Sequence, residues 1–210
     1  MVARAGWVVN DTNASGGHPQ DAFPCHAGGA TRGRRYAGCP RQSCQRQESE
    51  DSVSTRERES VEDYPRPPAI ERVDRHIRAL VSGHVIAETR RPIRVLETHH
   101  PPVYYIPPDD VAMRFLVPSP HRTFCEYKGE AHYYSLVVDG AKRANVAWCY
   151  PHPSPGYEEL ADHVAFYAWA LDEATVDGER VSPQPGHFYG GWITGEIAGP
   201  FKGEPGTAGW

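Results

Sequence analysis

The sequence predicts a mainly β fold, with one short helix, for the part of the chain that follows residue 60. Short runs of β-branched and aromatic residues recur there, and turn-forming residues separate them. Residue pairs that end in glycine lie between such runs and supply the positive φ that tight hairpins need. Because consecutive hairpins build antiparallel sheets, we expect antiparallel pairing. The pairs are Ser82-Gly83, Lys128-Gly129, Asp139-Gly140 and Asp177-Gly178.

Residues 1–60 have a different composition, rich in Gly, Ser, Gln, Arg and Pro, with few apolar residues after Val9. Such a segment buries too little apolar surface to offset its chain entropy, so we predict a disordered extension. The folded body is expected to begin near Val61, in a segment that its prolines hold extended as far as Pro68.

The body contains nine predicted strands and little helix. One helical turn is expected at Pro108–Val111, and one short amphipathic helix at Tyr157–Val164, after the helix-breaking residues 151–156. The predicted strands are His76–Val81, Val85–Glu88, Ile93–Glu97, Val103–Ile106, Thr123–Tyr127, Ala131–Val138, Ala144–Tyr150, Phe166–Leu171 and Ala174–Val176.

The last 29 or so residues form a segment of their own, residues 182–210, rich in Gly, Pro and aromatic residues. Aromatic side chains at this density are costly to leave in water. We therefore predict an ordered coil that packs on the domain of residues 61–181, or on a partner protein.

Charge and hydropathy limit the classes of partner. Residues 61–210 carry 14 basic and 20 acidic side chains and only three lysines, Lys128, Lys142 and Lys202. An acidic domain repels phosphate backbones, so no nucleic-acid polymer is expected as a partner.

The sequence contains no apolar run of about 18 residues, so no membrane span is expected. The first residues lack a basic region followed by an apolar stretch, so no secretory signal is expected. The five cysteines, an odd number, do not form the pattern of a disulfide framework. A cytoplasmic location is expected.

Candidate binding residues concentrate between Glu97 and Tyr167. Proline pairs flank the segment of residues 103–106, so Glu97 and Tyr105 can face a common space. Two interpretations of Glu97 stay open: it contributes to a ligand site, or it pairs structurally with an arginine such as Arg94 or Arg122.

Lys128 either marks a hairpin turn or holds a carboxylate or phosphate of a ligand. Aromatic residues with polar tips suit a pocket wall, but a sheet core uses the same residues. Trp148 and Phe166 fit the core better. The predicted ligand-binding set is Glu97, Tyr105, Lys128, Tyr150 and Tyr167, with no catalytic residue identified.

Familiar motifs for metals and cofactors are missing. The sequence has no Cys-x-x-Cys, no His-Glu-x-x-His, no dinucleotide fingerprint and no P-loop, so neither a metal nor a cofactor is predicted. His99 and His100 are adjacent, and neighbouring residues on a strand point to opposite faces, so a shared metal is not expected.

Several segments together form a recognisable set: Leu96-Glu97, residues 101–107, Asp110-Val111, Thr123–Cys125, Lys128-Gly129, Tyr134, Ala147-Trp148, Tyr150, Phe166-Tyr167, and in the closing part residues 188–192, 199–207 and 209–210. With these segments the chain resembles the domain-of-unknown-function family 427, small bacterial and fungal proteins. The resemblance implies a β-tent, in which two antiparallel sheets meet at an angle. Related ligand-binding domains usually carry a four-cysteine zinc site, but this body has only Cys125 and Cys149, so zinc is not implied.

The family is sometimes labelled as nucleotidyltransferase, which implies an enzyme that acts on nucleotides. Metal-dependent nucleotidyl transfer needs grouped carboxylates, as in Gly-Ser followed by Asp-x-Asp, and neither motif occurs here. We therefore expect a module that binds a small polar ligand. The alternatives are a nucleotide enzyme, with Glu97 as base or metal ligand and Lys128 as phosphate contact, or a protein-interaction module that docks through residues 183–210.

Overall fold

A computed structural model describes residues 58–207 of the chain, so the predicted extension, apart from its last three residues, lies outside the described part. The mainly β fold class is confirmed. Within residues 58–207 the helical segments are single 3-10 turns. None of the helices in this range is long and apolar enough to cross a membrane.

Fifteen strands build the described part of the chain. They are β1 Glu59–Ser60, β2 Ala69–Arg72, β3 Ile77–Val81, β4 His84–Thr89, β5 Ile93–Glu97, β6 His100–Tyr105, β7 Leu116–Cys125, β8 Gly129–Val138, β9 Ala141–Cys149, β10 Ala165–Phe166, β11 Glu173–Val176, β12 Glu179–Arg180, β13 Ser182–Pro183, β14 Trp192–Ile193 and β15 Ile197–Ala198.

The strands form three main antiparallel sheets and two short pairs. Their orders are β10-β9-β8-β7, β12-β11-β3-β4 and β2-β5-β6, and the short pairs are β13-β14 and β1-β15. Turn pairs close the hairpins as predicted: Ser82 and Gly83 both have positive φ, 51° and 77°, and so do Asp139 and Gly140, at 49° and 79°. These are the conformations that two-residue hairpin loops require.

Several strands differ from the prediction. Strand β7 begins at Leu116 rather than Thr123, because it lies at a sheet edge where Pro118 and Pro120 need not donate a ladder hydrogen bond. Strand β2 was not predicted, and it gains its order by pairing with β5. The predicted strand Phe166–Leu171 ends at Phe166, and a 3-10 turn follows at Ala168–Ala170.

The predicted helix at Tyr157–Val164 is reduced to a 3-10 turn, Glu158–Leu160. Asp162 has a φ of 61°, which is incompatible with a continuing right-handed helix. The backbones of Val164 and Ile106 donate a hydrogen bond to each other, each 2.9 Å long. Pairing with a distant residue therefore takes the place of the hydrogen bonds that a helix would form here. The other 3-10 turns are Val61–Asp63, Pro108–Asp110 where a turn was predicted, Met113–Phe115 and Ala168–Ala170.

The C-terminal segment contributes to the interior of the fold. Trp192 in β14 is 1% exposed, and its Nε1 donates a hydrogen bond to the Phe166 carbonyl oxygen at 2.9 Å. A second apolar cluster forms where β1 pairs with β15, and it contains Val61, Leu96 and Ile197. In both clusters, residues that are far apart in sequence pack together.

Candidate functional site

A cavity of about 300 Å³ is lined by residues of two sheets and of the C-terminal segment. Strands β5 and β6 form one side, and strands β7, β8 and β9 with their following loops form another. Segment residues 184–202 complete the lining. The lining residues are Val95, Glu97, His100, Val103, Tyr105, Thr123, Phe124, Cys125, Lys128, Tyr133, Trp148, Tyr150, Tyr167, Gln184, Phe188, Tyr189, Gly190 and Lys202.

The hairpin between β5 and β6 brings two polar side chains to the cavity. Glu97 and His100 are paired across the strands, and Thr98 and His99 form the two-residue turn between them. His99 has a φ of 65°, and the Thr98 hydroxyl donates a 2.6 Å hydrogen bond to the Tyr64 carbonyl oxygen. Because paired residues of a hairpin have neighbouring side chains, a carboxylate and an imidazole meet at this end of the cavity.

The Glu97 carboxylate is shared between two cations. Its Oε1 accepts a hydrogen bond from Arg66 Nη2 at 3.1 Å, and its Oε2 lies 3.7 Å from Lys128 Nζ. The side chains of Glu97 and Lys128 are 17% and 10% exposed. The structural partner of Glu97 is therefore Arg66 and neither Arg94 nor Arg122.

Aromatic rings form a wall of the same cavity. The Trp148 ring centroid lies 4.6 Å from that of Tyr167 and 6.3 Å from that of Tyr105. Trp148 Nε1 donates to the Tyr105 hydroxyl at 3.4 Å, and the Tyr167 hydroxyl donates to the Phe188 carbonyl oxygen at 3.1 Å. Burial raises the pKa of Tyr105, Tyr150 and Tyr167, so these phenols stay protonated at neutral pH.

Gln184 connects the C-terminal segment to the polar end of the cavity. It is 2% exposed, and its Oε1 accepts a hydrogen bond from the Gly191 backbone N–H at 3.1 Å. Its Nε2 donates to the Lys202 carbonyl oxygen at 2.9 Å and to His100 Nδ1 at 3.0 Å. The Gln184 side chain thus connects the backbone at Gly191 and Lys202 with the His100 ring of the body.

The His100 ring is neutral at physiological pH. Burial lowers its pKa to about 4; the Glu97 carboxylate opposes this shift, and the ammonium groups of Lys202 and Lys128 add to it. All three charged side chains therefore lie close enough to His100 to act on its titration.

Two glycines allow the segment to approach the wall closely. A Cβ on Gly190 would overlap the six-membered ring of Trp148. A Cβ on Gly191 would meet Gln184 Oε1 and the Pro101 carbonyl oxygen. The Gly-Gly sequence is therefore a packing requirement of this cavity.

All five residues predicted as ligand contacts line the cavity, namely Glu97, Tyr105, Lys128, Tyr150 and Tyr167. Trp148, assigned to the core from its sequence context, is buried and also lines the cavity. Sequence reasoning missed His100, Gln184 and Lys202. The available signal for Lys202 was the scarcity of lysine, since two of the three lysines in residues 61–210 line this cavity.

Metal-binding potential in residues 58–207 is limited. No three His, Cys, Asp or Glu side chains in this range are grouped so that they could hold one metal ion.

The two cysteines of the body are free thiols. Cys125 lines the cavity, and Cys149 is buried with its Sγ 3.6 Å from the Tyr134 hydroxyl. Burial raises the pKa of Cys149, which keeps this thiol protonated.

Comparison with known proteins agrees with the sequence resemblance. No curated protein matches the chain. One family model, described as "Domain of unknown function (DUF427)" and labelled NTP_transf_9, matches residues 69–177, which is about half of the chain. This range contains strands β2 to β11 and ends before the C-terminal segment that completes the cavity. The chain therefore belongs to the DUF427 family.

Proposed function

We propose that this domain binds a small polar ligand in the cavity between the aromatic wall and the Glu97–Lys128 pair. One observation carries the proposal: the buried ammonium of Lys128 and the half-buried carboxylate of Glu97 line the same cavity as Trp148, Tyr105 and Tyr167. Ligand sites combine apolar and aromatic walls with a few polar groups that set orientation.

The size and shape of the cavity support this proposal. Its volume of about 300 Å³ lies at the lower end of small-molecule sites. Phe124 and Phe188 line it and are 77% and 68% exposed, so large apolar side chains stand at its solvent side. Exposed aromatic rings next to a cavity are typical of surfaces that contact a ligand.

A metabolite library screened by thermal shift tests the proposal, together with a variant that fills the cavity. Val103→Phe enlarges a half-buried lining residue, and Val117→Phe makes the same change on the exposed edge strand β7. We expect at least one compound to raise the melting temperature of the wild type and of Val117→Phe, but not that of Val103→Phe.

Two results would contradict ligand binding in this cavity. One is a library in which no compound stabilises the wild-type protein. The other is a compound that stabilises Val103→Phe as much as wild type, because a ligand unaffected by filling the cavity binds elsewhere.

The family label supports a second proposal, an enzyme that acts on nucleotides. In that case Lys128 would contact phosphate, and Glu97 would serve as base or metal ligand. Nucleoside triphosphates that raise the melting temperature only with Mg²⁺ would support it. Equal melting temperatures with every nucleotide, with and without Mg²⁺, would contradict it.

A further inference from the structure

The polar end of the cavity carries more positive than negative charge. Lys128 and Lys202 both line it, and Glu97 is its only carboxylate among the described lining residues. That carboxylate already accepts a hydrogen bond from Arg66. The lining therefore holds two ammonium groups and one carboxylate, in a domain whose overall charge is negative.

Neither ammonium is neutralised by a short hydrogen bond to a carboxylate. Lys128 Nζ is 3.7 Å from Glu97 Oε2, beyond hydrogen-bonding distance. Lys202 has no salt bridge within residues 58–207; its Nζ lies 5.6 Å from the centroid of the Tyr189 ring. A buried charge is costly unless it is paired and hydrogen-bonded, so Lys128 in particular favours an additional anion.

The hydrogen bonds of Gln184 determine which ring nitrogen of His100 carries the proton. Gln184 Oε1 must be the acceptor, because its partner is the Gly191 backbone N–H. Gln184 Nε2 must be the donor, because it also bonds the Lys202 carbonyl oxygen. His100 Nδ1 therefore accepts, and the proton of the neutral ring is on Nε2.

The cavity consequently offers hydrogen-bond donors at its polar end. The lining includes the two lysine ammonium groups and His100, whose neutral ring carries its proton on Nε2. It also includes the aromatic rings of Trp148 and Tyr167. A ligand that complements this arrangement has an acceptor-rich negative group joined to a planar apolar body.

We propose that the ligand of this cavity is a small aromatic anion whose carboxylate or phosphate is held by Lys128 and Lys202, with His100 Nε2–H as a further donor, and whose ring packs on Trp148 and Tyr167. This inference rests on the proposed binding function and adds the charge and shape of the ligand.

Matched probes separate charge from shape. We would titrate the full chain with benzoate and benzamide, indole-3-carboxylate and indole-3-carboxamide, and phenyl phosphate, by calorimetry and thermal shift. Each acid has nearly the same shape as its amide but differs in charge. The carboxylates and phenyl phosphate distinguish the two kinds of anion. We expect an acid to bind at least about tenfold more tightly than its amide.

Lysine variants locate the source of that preference. Lys128→Met and Lys202→Met each remove one ammonium from the cavity, and Lys142→Met removes an exposed one from β9 as the matched control. We expect the preference for acid over amide to fall about tenfold in the first two variants and to stay unchanged in the third. Because Lys202 is only partly buried, its variant keeps the test valid if Lys128→Met does not fold.

Different results would overturn different conclusions. Amides that bind as tightly as their acids, or a preference for acids that survives both cavity variants, would overturn the anionic ligand and leave the proposed binding function intact. If neither the probes nor any compound of the metabolite library binds the wild-type protein, both proposals fall.

Discussion

At the scale of single residues, His100 shows how burial and hydrogen bonding set a protonation state. Its pKa is about 4 in the folded protein, against an ordinary value of 6.5. Above about pH 6.5 neither the folded nor the unfolded state protonates the ring, so stability is unaffected there. Between pH 6.5 and 4, His100 takes up a proton in the unfolded chain but not in the folded protein. The free energy of unfolding therefore falls as the pH falls.

We predict that His100→Asn removes this part of the acid sensitivity. An asparagine keeps an acceptor for Gln184 Nε2 but does not titrate. From the shift of His100, wild type should lose about 2 to 3 kcal/mol more than the variant between pH 7 and pH 4.5. Urea unfolding at the two pH values measures the difference.

The groups that act on His100 suggest the control for that measurement. Glu97, Lys128 and Lys202 all influence its titration. Glu97→Gln removes the carboxylate and keeps the ring, so it separates the effect of His100 from that of its acidic neighbour. Equal pH dependence of wild type and His100→Asn would show that His100 is not protected from protonation.

Gly190 is a second residue whose role follows from contact distance. Alanine at this position places a methyl group in the ring of Trp148, whereas alanine at Gly195 meets only the flexible end of Glu179. We predict that Gly190→Ala lowers the free energy of unfolding by about 1 to 3 kcal/mol. Gly195→Ala should change it by less than about 0.5 kcal/mol. Equal stability of the two variants in urea would refute the close approach.

At the scale of elements, local sequence was sufficient for hairpins whose tight turns it could identify. The runs around Ser82-Gly83 and Asp139-Gly140 were predicted because hairpin chemistry is local. Elements that depend on a partner far away in the sequence were not predicted. Strand β2 gains order only by pairing with β5, and Asp162 and Val164 leave the helical path to join Ile106. Such pairings depend on partners that no local window contains.

The C-terminal segment is an element whose aromatic residues divide into buried and exposed. We predict that Trp192→Ala costs about 3 to 5 kcal/mol, because it empties a buried site and leaves the Phe166 carbonyl oxygen without its donor. The matched change in the body, Trp169→Ala, affects a ring that is 41% exposed and should cost less than about 1 kcal/mol.

The comparison of these two tryptophan variants also tests the protein-interaction alternative. If the segment served mainly as a docking surface for a partner protein, loss of Trp192 would leave the melting temperature of the isolated chain unchanged. A fall of several degrees for Trp192→Ala and little change for Trp169→Ala would show that the segment is part of the fold.

At the scale of the whole molecule, the candidate site joins parts of the chain that sequence alone could not bring together. Gln184 and His100 are 84 positions apart, and the hydrogen bond between them exists only after the segment has folded onto the body. The five predicted contacts came from residue types with a polar tip or charge. Their neighbours on the segment could not be predicted, because no periodicity indicates where a coil will dock.

The docked segment leads to a prediction about cooperativity. Its backbone bonds to the body at distant points: the Lys202 N–H donates to the His99 carbonyl oxygen at 2.8 Å, and the Glu59 N–H donates to that of Glu196 at 2.8 Å. A segment that is bonded to the rest of the fold at these points and buries Trp192 in the interior has no independent way to open. We therefore predict that segment and body unfold as one unit.

Native-state hydrogen exchange measures this directly. The amide of Lys202 should exchange with the same opening free energy as the Tyr167 amide, which donates to the Val146 carbonyl oxygen inside the body. The Glu204 amide, bonded only within its own turn to Phe201, serves as the control for local opening and should exchange faster. If Lys202 exchanges as readily as Glu204, the segment opens on its own, and a cavity that depends on it would then be present for only part of the time.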